Sequence, residues 1–475
     1  MDILKFIFII LEVLLLFNVL IFVHELGHFL AGRWRGLKIE RFAVWFGKPV
    51  WKKNINGVEF CLGWIPAGGY VSLPQMAPME VIEGKSDAPK EVLPSISALD
   101  KIIVAFAGPV FSFGLAILFA LIVWIVGRPV SESETTTVVG YVDKDSPAEK
   151  AGLQVGDKIL EVDGKPVTKF GGMGESITWR VVRSEGATIA LKVRRGDKII
   201  ELSAVPIKEK TRVLERKSLR QILIDPAQTP IVNRIVTDSP AARAGLKRFD
   251  QILAVNGQKL YHFLNLVDYI DKHPGEKLNL KVRRDGKILE IIAQPQIPIK
   301  PADAKPRIGI TEWVHGGVMD LVRPGVTDQI GASVDAMLST FGAVFSPKSD
   351  IKLQHLSGAV KIMNIYYLLF KSEQGWRLAL WFSVIMNVNL AILNLLPVPV
   401  LDGGHITLAL IEAARRKPVS GRILNVVQTS CAVVLITYML YVTFYDIQDL
   451  KPKKEKAQTE LQFAPSPDAQ RPPAK

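Results

Sequence analysis

Four stretches of this chain are longer and more apolar than a soluble core element needs to be: Ile3 to Phe29, Ile102 to Val126, Trp376 to Leu396 and Ile423 to Tyr445. About 20 apolar residues in a helix cross the hydrocarbon of a bilayer. Helices are the usual spanning form, because they satisfy their backbone groups without water. The chain therefore reads as a polytopic α-helical membrane protein with four transmembrane helices, in keeping with 48% hydrophobic residues. No small-residue cleavage pattern follows the first stretch, so it reads as a retained span and not as a signal peptide.

The net charge of +13 does not point to nucleic acid, because the basic residues neither form one stripe nor interleave with aromatics. They flank the spans. Arg33, Arg35, Lys38, Arg41, Lys48, Lys52 and Lys53 follow the first, and Arg415, Arg416, Lys417 and Arg422 lie between the third and fourth. The positive-inside rule makes both loops cytoplasmic and puts Arg128 to Gly375 outside. The basic tail residues Lys451, Lys453, Lys454 and Lys456 oppose this placement, since four crossings leave both termini outside; the two loops outweigh the tail. The two cysteines, Cys61 and Cys431, suggest neither a disulfide framework nor a cysteine metal site.

The first span ends in His24-Glu25-Leu26-Gly27-His28. Histidines four apart share a helical face, so both imidazoles can reach one ion. The glutamate beside the first stands where a general base takes a proton from water at that ion, the arrangement of a zinc peptidase. Three ionisable residues in a membrane helix each cost several kcal/mol unless they face a cavity, a partner or an ion. The third span ends with Asn387, Asn389 and then Asn394-Leu395-Leu396-Pro397-Val398-Pro399-Val400-Leu401-Asp402-Gly403. Pro397 and Pro399 break the helix and free backbone groups. Asp402 follows at once and can supply a third ligand, leaving a position open for water. Asn389 and Asn394 offer amide donors for a peptide carbonyl or a developing oxyanion. His405 reads as a helix-start residue, with a supporting contact to the metal ligands as the alternative.

Between the first two spans, Gly57 to Leu73 reads as a hairpin of two short β-runs turning at Pro66-Ala67-Gly68-Gly69. Its glycine-rich edge, Gly68 and Gly69, either accepts an unwound substrate strand or simply packs. Pro74 to Pro94 reads as a polar loop. Gly108, Pro109 and Ser112 in the second span permit close approach of another helix or of loosened backbone. The exported segment holds an internal repeat: Asp145 to Leu153 returns as Asp238 to Leu246, and Asp157 to Gly164 as Asp250 to Gly257. Val326, Ile330, Val334, Met337, Leu338, Phe341 and Phe345 recur at helical spacing, and Ile362 to Phe370 is a shorter apolar patch; both predict helices lying on the outer membrane face.

The Ser-Pro-Ala-x-x-Ala-Gly-Leu runs, with Gly-Asp-x-Ile-Leu in the first copy, resemble bacterial PDZ domains. Such domains commonly bind peptide ends or strands by edge addition. Spacing or steric gating without ligand remains open, and the second copy has Phe249 where the first has Gly156. With His24-Glu25-x-x-His28 in span one, Asn394-x-x-Pro397-x-Pro399-x-Leu401-Asp402-Gly403 in span three and tandem repeats between spans two and three, the chain resembles the site-2 protease family, bacterial RseP type with tandem PDZ domains. The resemblance implies an intramembrane zinc metalloprotease of the bacterial inner membrane, with periplasmic PDZ domains. Its substrates would be single-span membrane proteins cut within the bilayer, such as anti-sigma factors or signal-peptide remnants. It implies Zn2+ on His24, His28 and Asp402, Glu25 as base, and Asn389, Asn394, Pro397, Pro399, Gly68 and Gly69 in substrate handling. Ser112 stands where relatives have asparagine and Ala359 where proline is common; neither is expected to touch the metal or the base. A catalytically inactive, membrane-anchored PDZ adaptor is the alternative.

The expected division is a first transmembrane helix over 1–31, a cytoplasmic loop with a membrane-associated β-hairpin over 32–98 and a second helix over 99–127. Two inserted extracytoplasmic PDZ-like α+β domains follow over 137–208 and 222–296, then amphipathic helices over 297–375. Helices three and four occupy 376–405 and 422–446, with a polar tail over 450–475.

Overall fold

The computed structural model describes residues 3–76, 94, 96–212, 215–301, 305–372, 374–417, 419–450 and 461–464. Most of the predicted Pro74 to Pro94 loop and most of the polar tail lie outside the described residues. The chain divides into two compact units, Met1–Arg128, Val322–Thr340 and Gln354–Leu450 forming one, and Pro129–Leu321, Phe341–Leu353 and Lys451–Lys475 the other.

In the first unit, α1 (Ile3–Trp34) is followed by β1 (Arg41–Phe46), β2 (Trp51–Ile55), β3 (Val58–Leu62), β4 (Ile65–Ser72) and α2 (Ala98–Val126). A capping box starts α2: Ser97 accepts from the Asp100 N–H while the Asp100 side chain reaches back to Ser97. Helix α2 lies against α1 so closely that a Cβ on Gly27 would sit 2.5 Å from the Ala107 carbonyl oxygen. Leu115, Phe119 and Ala120 of α2 are buried with Val384, and Leu16, Val19 and Val23 of α1 pack on them.

The four strands form one sheet in the order β2-β3-β1-β4. Strands β2 and β3 make a hairpin through Asn56 and Gly57, both at positive φ, as a tight right-twisting turn requires. Strand β1 runs parallel to β3 and antiparallel to β4. This corrects the expected hairpin: Pro66 to Gly69 lies inside β4, and β4 pairs with β1. The cause is local. The Gly63 N–H bonds the Val44 carbonyl, and a Cβ there would sit 2.3 Å from the Phe46 carbonyl oxygen, so the chain crosses over β1 at this point and does not fold back on β3. Buried Phe42 and Ala43 favour the interior place for β1. Strand β4 is left at one edge of the sheet.

The second unit holds the repeats. The first contains β6 (Val139–Val142), α3 (Pro147–Lys150), β7 (Lys158–Val162), β8 (Lys165–Pro166), α4 (Ile177–Arg183), β9 (Ile189–Arg195), β10 (Lys198–Ala204) and β11 (Ile224–Pro226). It follows β5 (Arg128–Ser131). The second runs β12 (Val232–Ile235), α5 (Pro240–Arg243), β13 (Gln251–Val255), β14 (Gln258–Lys259), α6 (Phe263–Lys272), β15 (Leu278–Arg284), β16 (Lys287–Ala293) and β17 (Ile310–Trp313). Ser146 and Ser239 cap α3 and α5 alike, each with proline in the first turn. Both copies bury an aspartate under a bidentate arginine: Arg195 bonds Asp157 at 2.8 and 2.7 Å, and Arg284 bonds Asp250 at 2.6 and 2.6 Å. Each arginine also donates to a glycine carbonyl, Gly152 or Gly245, at 2.7 Å.

The pairing moves the expected repeat boundaries. Strand β11 pairs with β6 and Ile222 lies in the first core, so the first copy extends through Pro226. Strand β17 pairs with β12 and closes the second copy beyond residue 296. These closing strands have three and four residues, too short for their alternation to show in sequence. Phe249 takes the left-handed conformation, φ +70°, that Gly156 takes at +92°.

After β18 (Met319–Val322), which pairs with β5, come α7 (Val326–Phe345), α8 (Ala359–Phe370), α9 (Gly375–Asn394), α10 (Asp402–Arg415) and α11 (Gly421–Asp449). Among the described residues α1, α2, α9 and α11 are long and apolar enough to cross a membrane. Within the expected third segment, 376–405, α9 stops at Asn394 and α10 starts at Asp402, one on each side of the helix-breaking Pro397 and Pro399.

Candidate metal centre

His24 and His28 come from successive turns of α1 and are both buried. Their Nε2 atoms lie 3.3 Å apart. Room for them is made by α2: at Gly108 a Cβ would fall 2.2 Å from His28 Nε2 and 2.9 Å from His24 Cε1. The far ring atoms are tied to the same helix. His28 Nδ1 bonds the Val104 carbonyl oxygen at 2.8 Å, and His24 Nδ1 bonds Ser112 Oγ at 3.0 Å. Because a carbonyl only accepts, His28 carries its proton on Nδ1 and turns the Nε2 lone pair toward the cluster.

Asp402 opens α10, after the chain has left α9 at Asn394, three residues before Pro397. The loop between folds back onto the first turn of α10. A Cβ on Gly403 would lie 2.3 Å from the Leu395 carbonyl oxygen, and one on Gly404 2.2 Å from that of Val398 and 2.6 Å from Pro399 Cα. Pro397 and Pro399 thus shape the turn that delivers the carboxylate. Asp402 Oδ2 lies 3.3 Å from His24 Nε2 and Oδ1 lies 3.3 Å from His28 Nε2. Two imidazole nitrogens and one carboxylate oxygen, all within 4.8 Å of one another, are the donor set of a tetrahedral zinc site with one position open. Asp402 Oδ2 is buried without a hydrogen-bond donor, which suits an oxygen meant for an ion. At the N-terminus of α10 its negative charge also meets the positive end of the helix dipole.

Asn394 reaches the cluster, its Nδ2 lying 3.2 Å from His24 Nε2. Asn389 sits five residues earlier, ~140° round the helix from Asn394, and its buried Oδ1 has no donor. Asn387 shares the face of Asn394; it is fully buried, donates to the Ser383 carbonyl at 2.8 Å and likewise leaves Oδ1 without a donor. Gly69 of β4 faces α1, where a Cβ would approach Glu25 Cγ to 3.1 Å and Ile21 Cγ2 to 3.0 Å. Gly68, at φ +72°, lies beside the Phe46 ring.

Ser112 was expected not to touch the metal or the base; it bonds His24, one of the proposed ligands, at the ring nitrogen turned away from the cluster. Gly108 and the Val104 carbonyl are further contributors. The Gly-Pro pair in an apolar span marked a close approach of something to α2, without saying of what.

A family model described as peptidase family M50 matches residues 12–438. The regulator of sigma-E protease RseP of Escherichia coli is 29% identical over 91% of this chain and 97% of its own length. The regulator of sigma E protease of Haemophilus influenzae is 28% identical over 90% and 96%. A Pasteurella multocida protein with "zinc metalloprotease" in its name is 29% identical over 91% and 97%. The match spans α1 with its two histidines, α2, both repeats and the Asp402 helix start, and the chain belongs to peptidase family M50.

Proposed function

We propose that this chain is an intramembrane zinc peptidase that hydrolyses a peptide bond inside the transmembrane segment of a single-span membrane protein. The observation that carries the reading is the convergence of His24, His28 and Asp402 from two separate helices, with Glu25 beside His24 on a helix of bilayer length. Held by these three residues, zinc supplies Lewis acidity that polarises a carbonyl and makes water a nucleophile near neutral pH. Glu25 takes the proton of the attacking water and returns it to the leaving nitrogen. Asn394 donates its amide hydrogen toward the carbonyl oxygen, where negative charge grows. The Val104 carbonyl and Ser112 hold the two rings in orientation.

A helical substrate hides its scissile carbonyl in a backbone hydrogen bond. It has to unwind, and β4 offers an edge: paired with β1 on one side, it passes Glu25 at Gly69. We assign Gly68 and Gly69 to this strand-accepting edge, and the loop with Pro397 and Pro399 to the facing wall. The repeats are read as PDZ domains on the outer face of a bacterial inner membrane, supported by their matching serine-capped turns and by the basic loops that flank the spans. The amphipathic α7 and α8 are read as lying on that face. The names of the sigma-E relatives favour an anti-sigma factor as the class of substrate.

The test is Glu25→Gln in purified, reconstituted protein with a single-span reporter. Zinc content is expected to stay at one ion per chain while cleavage falls by at least about 100-fold. Cleavage at the parent rate would refute the assignment of the base.

A further inference from the structure

The tail from Lys451 to Lys475 is polar and proline-rich, with only two large apolar residues, Leu461 and Phe463. Their spacing of two puts both on one side of an extended strand. That segment is docked. Gln462 pairs antiparallel with Lys300 of the second repeat: its N–H donates to the Lys300 carbonyl at 3.2 Å, and its carbonyl accepts from the Ile299 N–H at 2.6 Å and the Lys300 N–H at 3.4 Å. Arg243, at the end of α5, donates from Nη1 to the Ala464 carbonyl at 3.2 Å and is steadied by Gln296 through Nη2. Between exposed Gln462 and Ala464, Phe463 is only 7% exposed. Its ring adjoins Gly309 at φ +89°, where a Cβ would stand 3.1 Å from Phe463 Cε2 and 2.2 Å from Ser239 Cβ.

A backbone edge that both donates and accepts, a guanidinium aimed at a carbonyl and a recess for one aromatic ring are the components of a strand-addition peptide site. We propose that residues 296–300, Gly309 and Arg243 of the second repeat form such a site, and that its resident ligand is the chain's own segment Leu461 to Ala464. One ring and three backbone contacts make an exchangeable ligand. The short connection from α11 to Leu461 holds the segment at an effective concentration on the order of millimolar, so it outcompetes free peptides of similar sequence while it is docked. The docking also asks that the tail and the repeats share one face of the membrane, which two crossings by α9 and α11 satisfy.

The site can be read by fluorescence anisotropy with a labelled peptide of residues 457–468, using purified full-length chain and a chain ending at Lys456. The shortened chain should bind the peptide saturably. The intact chain should bind it at least about tenfold more weakly, and the peptide carrying Phe463→Ala should lose at least about tenfold. Phe463→Ala in the intact chain keeps its length and should open the site to the labelled parent peptide. Equal binding by intact and shortened chains, no binding by a folded shortened chain, or a site that stays closed in the intact Phe463→Ala chain would overturn the proposal. Binding is measured without cleavage, so its failure leaves the peptidase reading standing.

Discussion

Replacing Gly108 by alanine should dismantle the metal centre while leaving the membrane helices in place. The added Cβ would lie 2.2 Å from His28 Nε2, 2.6 Å from its Cε1 and 2.9 Å from His24 Cε1. Carbon needs about 3.5 Å from such neighbours, so the His28 ring or the helix would have to retreat by roughly 1.3 Å. Ligand distances in a metal site tolerate only about 0.2 Å. The ring cannot swing aside freely, because its Nδ1 is held at 2.8 Å by Val104 on the same helix as the new methyl group. Helix α2 is pinned where Gly27 meets Ala107. At least one ligand is therefore lost. Changes in the groups that merely orient ligands cost about 10- to 100-fold in metal affinity, so losing a ligand should cost at least ~100-fold. Chelator competition on the purified protein measures this, with reporter cleavage read alongside. Gly114→Ala is the control: it lies on the same helix with no atom of another element within 4 Å of its Cβ among the described residues, and it should bind zinc and cleave normally. Parent zinc affinity in Gly108→Ala, or an equal loss in Gly114→Ala, would refute the reasoning.

His262 caps α6 by accepting the Leu264 N–H at Nδ1, 3.4 Å away, and burial pushes its pKa down to about 4. An unfolded histidine titrates near 6.5, so above that pH neither state is protonated and the contribution is whole. As pH falls from about 6.5 to about 4 the unfolded chain binds a proton that the folded one refuses, and up to about 3 kcal/mol is lost, with no further change below. Hydrogen exchange of α6 amides across this range should show the loss, and His262→Asn, which can still cap, should flatten it; an unchanged slope would count against this cause. In the same repeat, Asp250→Asn leaves Arg284 facing a neutral partner in place of a carboxylate held at 2.6 Å by two nitrogens. The second repeat should lose about 3 kcal/mol, seen as faster exchange in β13 and β15. Unaltered exchange there would show that the buried pair contributes little.

What could be read from the residues alone was whatever a local period carries. His24 and His28 announce themselves because four residues make one helical turn, and Asp402 because a helix broken by Pro397 and Pro399 restarts at an acidic residue. The roles of Gly108 and Ser112 were hidden. They act across the gap between α2 and α1, and nothing in their neighbours tells which helix they meet. The order of the β2-β3-β1-β4 sheet was hidden for the same reason: two runs on either side of Pro66 to Gly69 look like a hairpin until β1, earlier in the chain, takes the place between β3 and β4. Strands β11 and β17 were too short to separate from linker, which shifted the limits of both repeats.

His24 and His28 lie in the first helix, whereas Asp402 is made only after both repeats. At ordinary translation speeds roughly 380 further residues take on the order of 20 to 80 seconds to add. For all that time the nascent chain carries two of the three proposed ligands without the carboxylate that completes them. A truncated product ending anywhere before α10 would be equally incomplete. The order of the elements thus acts as a timer: the three side chains cannot come together until the chain's own insertion is nearly finished.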